Sequence, residues 1–315
     1  MSFRIGLVGL CTSHPESWVP IIREYVAEGR FDAEITAAWD SGETREEGFA
    51  KKFCEQFDIP HAVEKLSDMM DLIDGVIIHT ANWDKHFEQA EIFVKAGKAV
   101  FIDKPIAGNL RDAGKYLDWL KAGYKVTGGS VLRYFQPALD FLALDEAERG
   151  KVYTAYTAVG VDDFNYGIHG YAILSSIMGA GIVSAQYIVS SNQKQIMLEW
   201  SDGRVGILTA GKSAWLPFNM TVVTDRKVVQ MDAKELVYNA MIREVMPYFT
   251  GKTDTPPIPS EQLIEPELAA MAARMSWMNG GKKVYLTDLS LDDRGFDGNQ
   301  FAAEYRRSRI AAAGK

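Results

Sequence analysis

Between Phe3 and about Ser130, short apolar runs alternate with longer stretches whose apolar residues recur every three or four positions. That alternation is the pattern of parallel strands joined by crossover helices. The runs FRIGLVGL, EITAAWD, GVIIHT, AVFIDK and KVTGGS supply the strands. HFEQAEIFVKAG typifies the helices: Phe87, Ala90, Phe93 and Val94 share one face, and Gly97 provides the stop. The chain is expected to open with an α/β domain over residues 1–130, a doubly wound parallel sheet covered on both faces.

After Arg133 the pattern changes. KVYTAYTAVGV reads as a strand and FNYGIHGYAILSSIMG as a helix, and further strands follow in quick succession. IMLEW and VGILTAG flank SDGR, whose Asp202-Gly203 pair favours a tight hairpin, and TDRK turns the chain between TVV and VVQM. Two helices, ELVYNAMIREVMPYFTG and SEQLIEPELAAMAARMSWMNGG, come next. Residues 131–315 are expected to form a second domain of α+β type on a largely antiparallel sheet. The tail from Ser290 is polar and alanine-rich and yields no assignment.

Composition narrows the function. The 315 residues carry 42 acidic and 34 basic side chains, a net charge of -8, without a basic cluster. Nucleic acid and anionic membrane surfaces are therefore poor partners, and a small-molecule ligand is expected. Cys11 and Cys54 lack metal-type spacing and are expected as reduced thiols. With no early basic segment leading into an apolar run and a small-residue cleavage site, a cytoplasmic enzyme is expected.

Ligands of open parallel sheets bind beyond the carboxyl ends of the strands. The polar residues there are His14, Asp40, His79 with Thr80, and Asp103 with Lys104. A dinucleotide-binding turn would carry Gly-x-Gly-x-x-Gly; the chain supplies Gly9, then Cys11 and His14 where the second and third glycines belong. Ser13 and Glu16 have the spacing of a capping box, with Pro15 in the first turn. A Glu16 carboxylate there would compete with a pyrophosphate for the helix end, whereas Thr12 and Ser13 hydroxyls would help to hold one. Asp40 ends the second strand, where a carboxylate accepts from the adenosine ribose hydroxyls and disfavours a 2'-phosphate; NAD is expected over NADP, with Arg45 the one argument for NADP. Gly9, Cys11, Thr12, Ser13, His14, Asp40, Thr80, Asp103 and Lys104 are thus the candidate cofactor contacts, with binding expected to be weak. His14 and His79, with Asp103 and His169, also admit a divalent metal, though no helical His-x-x-x-His spacing supports one.

AVFIDKPIAGNL, the following RYFQP, the histidine at 169 after Gly-Ile, the closing helix before FTGKTDTPPIP and the final GGKKVYL together resemble the glucose-fructose oxidoreductase, inositol dehydrogenase and MocA (Gfo/Idh/MocA) family. The resemblance implies an N-terminal Rossmann domain, a C-terminal domain on an open mixed sheet used for oligomerisation, a homodimer or homotetramer, and hydride transfer between NAD(P) and a sugar or cyclitol hydroxyl. It implies catalytic roles for Lys104 and His169 and a cis Lys104–Pro105 peptide. Lys104 also qualifies on physical grounds, because an ammonium desolvated at a strand end titrates nearer the range useful for proton transfer. The family places an aspartate four residues before the histidine; here that position is Asn165, which can orient a hydroxyl but cannot ionise. Arg133, Tyr166 and Asp163 are the candidate substrate contacts, and Asp162 and Asp163 are the candidates to replace the missing carboxylate. Trp83, Tyr134, Phe135 and Tyr166 are either a sugar-stacking surface or ordinary core. Three readings stay open: an NAD-linked oxidoreductase, a carbohydrate-binding or regulatory protein without redox chemistry, and a metal-assisted lyase or isomerase.

Overall fold

The computed structural model describes residues 1–190, 193–233 and 237–313. The first sheet takes β1 (Phe3–Val8), β2 (Ala33–Trp39), β3 (His61–Ala62), β4 (Gly75–Ile78), β5 (Ala99–Asp103) and β6 (Val126–Gly129). Helices α1 (His14–Ala27), α2 (Phe49–Gln56), α3 (His86–Lys95) and α4 (Leu110–Lys121) connect them. All pairs are parallel, in the order β3-β2-β1-β4-β5-β6, so the order reverses between β1 and β4. Strands β4 and β5 are buried at every residue, which is why they read as unbroken apolar runs.

Short helices α5 (Gln136–Leu142) and α6 (Glu146–Arg149) lead into the second half. Its elements are β7 (Val152–Ala158), α7 (Gly167–Met178), β8 (Ile182–Ser190), β9 (Lys194–Trp200), β10 (Val205–Ala210), β11 (Asn219–Thr224), β12 (Val228–Asp232), α8 (Val237–Phe249), α9 (Glu265–Met278), β13 (Val284–Tyr285) and α10 (Gly298–Ala313). The sheet order is β12-β11-β7-β10-β9-β8-β13, with β7 and β10 parallel and the remaining pairs antiparallel. The expected Asp202-Gly203 hairpin joins β9 to β10, with Gly203 at φ +85°. Every residue of α7 is buried, as befits a helix apolar on all sides and held between sheet and neighbouring helices.

Four expectations shift. The GGKKVYL strand contracts to Val284–Tyr285. The helix expected from Ser260 begins at Glu265, because Pro266 occupies its first turn while Ser260–Gln262 makes a 3-10 turn. The two-residue β3 was not anticipated, and the unassigned tail contains α10. Glu235 and Leu236, at the expected start of α8, lie outside the described residues.

Candidate active site

The carboxyl ends of β1, β4 and β5 lie side by side at the reversal point, and the chemistry gathers there. Lys104 follows β5 directly, is 9% exposed, and its peptide to Pro105 is cis. Its Nζ donates to the Asn165 carbonyl at 2.9 Å and to Asn165 Oδ1 at 3.2 Å, and lies 5.4 Å from the Tyr166 ring centre. Burial pulls the ammonium down from its ordinary value, against the charges of Asp103 and Asp162.

Asp103 is the hub. Its Oδ1 accepts from the Lys104 backbone N–H at 2.7 Å, and its Oδ2 from His14 Nδ1 at 2.5 Å and His79 Nδ1 at 2.9 Å. Burial works to raise this carboxyl, but the charge of His14 and the hydrogen bonds from both imidazoles hold it well below the usual carboxylate range. Burial lowers His79 from the ordinary histidine value, against the pull of Asp103. The three side chains meet as the metal reading required, with one ligand atom from each within 4.8 Å of the others. The spacing around Oδ2 is that of hydrogen bonds, however; ligands of a tetrahedral zinc stand about 3.3 Å apart.

His169, in the first turn of α7, shares a 2.8 Å hydrogen bond between its Nδ1 and Ser130 Oγ and meets the rings of Tyr166 and Phe218 edge-on. Burial, then the charge of Lys104, hold it well below the ordinary histidine value. His14, Lys104, Tyr166 and His169 line one pocket of about 300 Å³ with Ser13 and Tyr238. Wider grooves near Asp74 and along Ser41–Glu64 bring no acid and base groups together in this way.

The remaining candidates distribute unevenly. Gly9 belongs to the turn: at φ +77° a Cβ would stand 2.3 Å from Thr80 Oγ1. Thr80 itself is buried, its hydroxyl donating to Gln89 at 2.6 Å. Cys11 is fully buried, and burial pushes its thiol up to about 11; both cysteines are free thiols. Asp40 turns inward, accepting from Leu10 N at 2.6 Å and Gly42 N at 2.8 Å, so it braces the turn. Arg133 is buried with an unpartnered Nε and is not part of the pocket lining. Asp163 also points elsewhere, paired with Lys194. Asp162 accepts from Phe164 N and Tyr166 N, organising the chain ahead of α7. Of the four aromatics, Tyr166 reaches the pocket; Tyr134 and Phe135 are core, and Trp83 packs on Phe164 and Phe301.

The expected capping box does not form. Ser13 is the N-cap of α1 without a side-chain bond, and Glu16 pairs with Arg45 at 2.8 Å. Thr12 Oγ1 instead accepts from His14 N at 3.1 Å, and the Glu16 carboxylate in the first turn is drawn towards Arg45. Arg45 donates to Leu10 O at 2.9 Å, and Arg309 of α10 donates to Cys11 O, so two guanidiniums flank the turn. This donor set fits a dinucleotide pyrophosphate by charge where two glycines are missing. Arg309 went unforeseen because nothing in the tail's pattern marked it; Tyr238 and Ser130 likewise carried no signal.

Comparisons with known proteins agree with this architecture. Residues 3–127 match the Gfo/Idh/MocA profile, described as the oxidoreductase family with an NAD-binding Rossmann fold. It is 30% identical over 112 residues to the Salmonella typhimurium protein named "Putative oxidoreductase YceM", covering 36% of this chain and 33% of that one. A 135-residue match at 28% identity to "Putative UDP-kanosamine synthase oxidoreductase subunit" of Amycolatopsis mediterranei covers 42% and 35%. The match thus spans about a third of these curated relatives. Among solved structures, scyllo-inositol dehydrogenase from Lactobacillus casei with bound NAD(H) and scyllo-inositol superimposes with a TM-score of 0.73 at 15% identity, over 91% of this chain and 100% of that one. A Thermotoga maritima structure described as a probable dehydrogenase gives 0.74 at 15%, with coverages of 91% and 100%. At such identities these structures establish the fold. No helix among the described residues is long and apolar enough to cross a membrane.

Proposed function

We propose that the chain is an NAD(P)-linked oxidoreductase acting on a hydroxyl of a sugar or cyclitol derivative. One observation carries the reading: a buried ammonium, held by Asn165, borders a small pocket with two imidazoles at the reversal point of the sheet. Lys104 binds and polarises the reacting oxygen, and Asn165 holds its Nζ in place. Ser13 and Tyr166 orient the remaining hydroxyls. Gly9, the start of α1, Arg45 and Arg309 would hold the dinucleotide, which when bound supplies the hydride acceptor. The named ligands of the solved relatives, NAD(H) with scyllo- or myo-inositol, support the substrate class. By family resemblance the second sheet, with Tyr153, Tyr156 and Ile188 exposed, is the homodimer or homotetramer surface.

The test is calorimetry with NADH and NADPH, followed by turnover of a panel of inositols and nucleotide sugars read by nicotinamide absorbance. Binding of neither nucleotide at about 1 mM would remove the oxidoreductase reading. The position of α10 favours the carbohydrate-binding alternative, since Arg306 and Asn299 reach Glu43 and Asn82 across the crevice. A sugar that raises Tm equally with and without NAD would favour it.

A further inference from the structure

The pocket has two imidazoles, and the family resemblance points to His169. The geometry points to the other. We propose that His14, backed by Asp103, is the proton-transfer residue of this pocket, while His169 serves as a neutral hydrogen-bonding group. The proposal rests on the oxidoreductase reading for its substrate, but not for its first test.

Three observations carry it. The Asp103 carboxylate can only accept, so the 2.5 Å bond fixes hydrogen on His14 Nδ1 and leaves Nε2 with a free lone pair. Nε2 has no hydrogen-bond partner among the described residues, and the ring lines the pocket that holds Lys104. The ring is also fixed in orientation, stacked on Trp18 at 5.7 Å and 13° and met edge-on by Tyr238 at 5.3 Å. The arrangement is that of a base oriented by a buried carboxylate. The charged and titratable groups around His14 are Asp103 and Lys104 from the end of β5, His79 after β4, His169 on α7 and Tyr238 on α8.

In the oxidation direction the substrate O–H bond breaks and its proton forms an N–H bond at His14 Nε2. The neighbouring C–H bond breaks, its electron pair leaving as hydride to the nicotinamide dinucleotide, and the carbon–oxygen double bond forms while Lys104 holds that oxygen. The positive charge left on His14 is paired by Asp103. Cys11 and His14, which depart from the glycine fingerprint, thereby acquire different roles: one fills the turn, the other does chemistry.

The first test needs no substrate. Nitrogen NMR of histidine-labelled protein should show His14 in the Nδ1–H form when neutral, and D103N should convert it to a mixture of tautomers. A His14 found chiefly as Nε2–H would overturn the proposal. The second is kinetic: H14Q should lower kcat/KM about 10²-fold or somewhat more and abolish its acidic limb, while H169Q lowers it about tenfold and keeps that limb. Exogenous imidazole should partly restore H14A and leave H169A unchanged. A pH limb that survives in H14Q and vanishes in H169Q would assign the role to His169. Absence of turnover with every nucleotide and polyol would count against the proposed function instead, leaving the tautomer measurement to decide this point.

Discussion

The two sides of the pocket support their imidazoles differently. On the Rossmann side, His14 leans on a buried carboxylate that accepts hydrogen bonds from two rings and a backbone N–H. On the other side, His169 leans on the Ser130 hydroxyl, which already accepts from Leu132 N at 3.1 Å and can still donate or accept. A carboxylate fixes the tautomer and pairs an arriving charge; a hydroxyl does neither. Where the family resemblance calls for an aspartate the chain has Asn165, and the buried carboxylate is found across the pocket, at Asp103.

Lys104 sits between the two sides, and its removal should have the largest effect. K104M is expected to lower kcat/KM about 1,000-fold with each pocket wall intact, measured by steady-state nicotinamide absorbance. The walls should then separate. D103N should cost about 10²–10³-fold and S130A less than about fivefold under the same assay. Equal losses would erase the comparison, and a larger loss in S130A would invert it.

Effects on folding come next. G9A places a Cβ 2.3 Å from Thr80 Oγ1 and 2.6 Å from its Cα, at a φ of +77° that side chains avoid. It should destabilise the protein by about 2–4 kcal/mol, read from the denaturant midpoint. The turn beneath His14 is thus constrained by its glycine even though the other two fingerprint positions have changed.

How much of this was legible depended on how far each residue's partner lies along the chain. Lys104 and Asp103 were visible because a run buried on both faces announces a strand, and its end announces the ligand edge. The Ser13–Glu16 spacing was read locally, but Arg45 approaches from the far side of β2 and takes Glu16 away. Asp163 was lost to Lys194, and Asp40 to the amides of the very turn it was expected to complement. The helix α10 has too little apolar periodicity to declare itself; Phe301 on Trp83 and Arg309 on Cys11 define it through tertiary contact. That His14, His79 and Asp103 share a strand edge was expected, with hydrogen bonding the plain reading and metal ligation the rarer one.

The charge account of the turn makes a smaller prediction. R45A should raise KM for the dinucleotide about tenfold with kcat nearly unchanged, because a guanidinium beside the phosphates contributes equally to ground and transition states. A change in kcat instead would mean that the turn positions His14 as well as the nucleotide.

The last effect is one of pH and concerns the link between the two sides. Glu267 on α9 is buried, its Oε1 accepting from Ile106 N at 2.9 Å just past the Lys104–Pro105 peptide, and its Oε2 has no partner. Burial raises this carboxyl from 4.5 to about 8. Between those values the folded chain holds a proton that the unfolded chain releases, so the contribution of Glu267 to stability is fully present below the unfolded value and is lost as pH rises towards 8. E267Q cannot ionise and should escape this loss. It should match the parent near pH 4 and exceed it increasingly as pH rises, by roughly 3–4 kcal/mol near pH 8, measured from the denaturant midpoints. A difference independent of pH would show that Glu267 is ionised in the folded protein, and that the loop carrying Lys104 is tied to α9 by a charge.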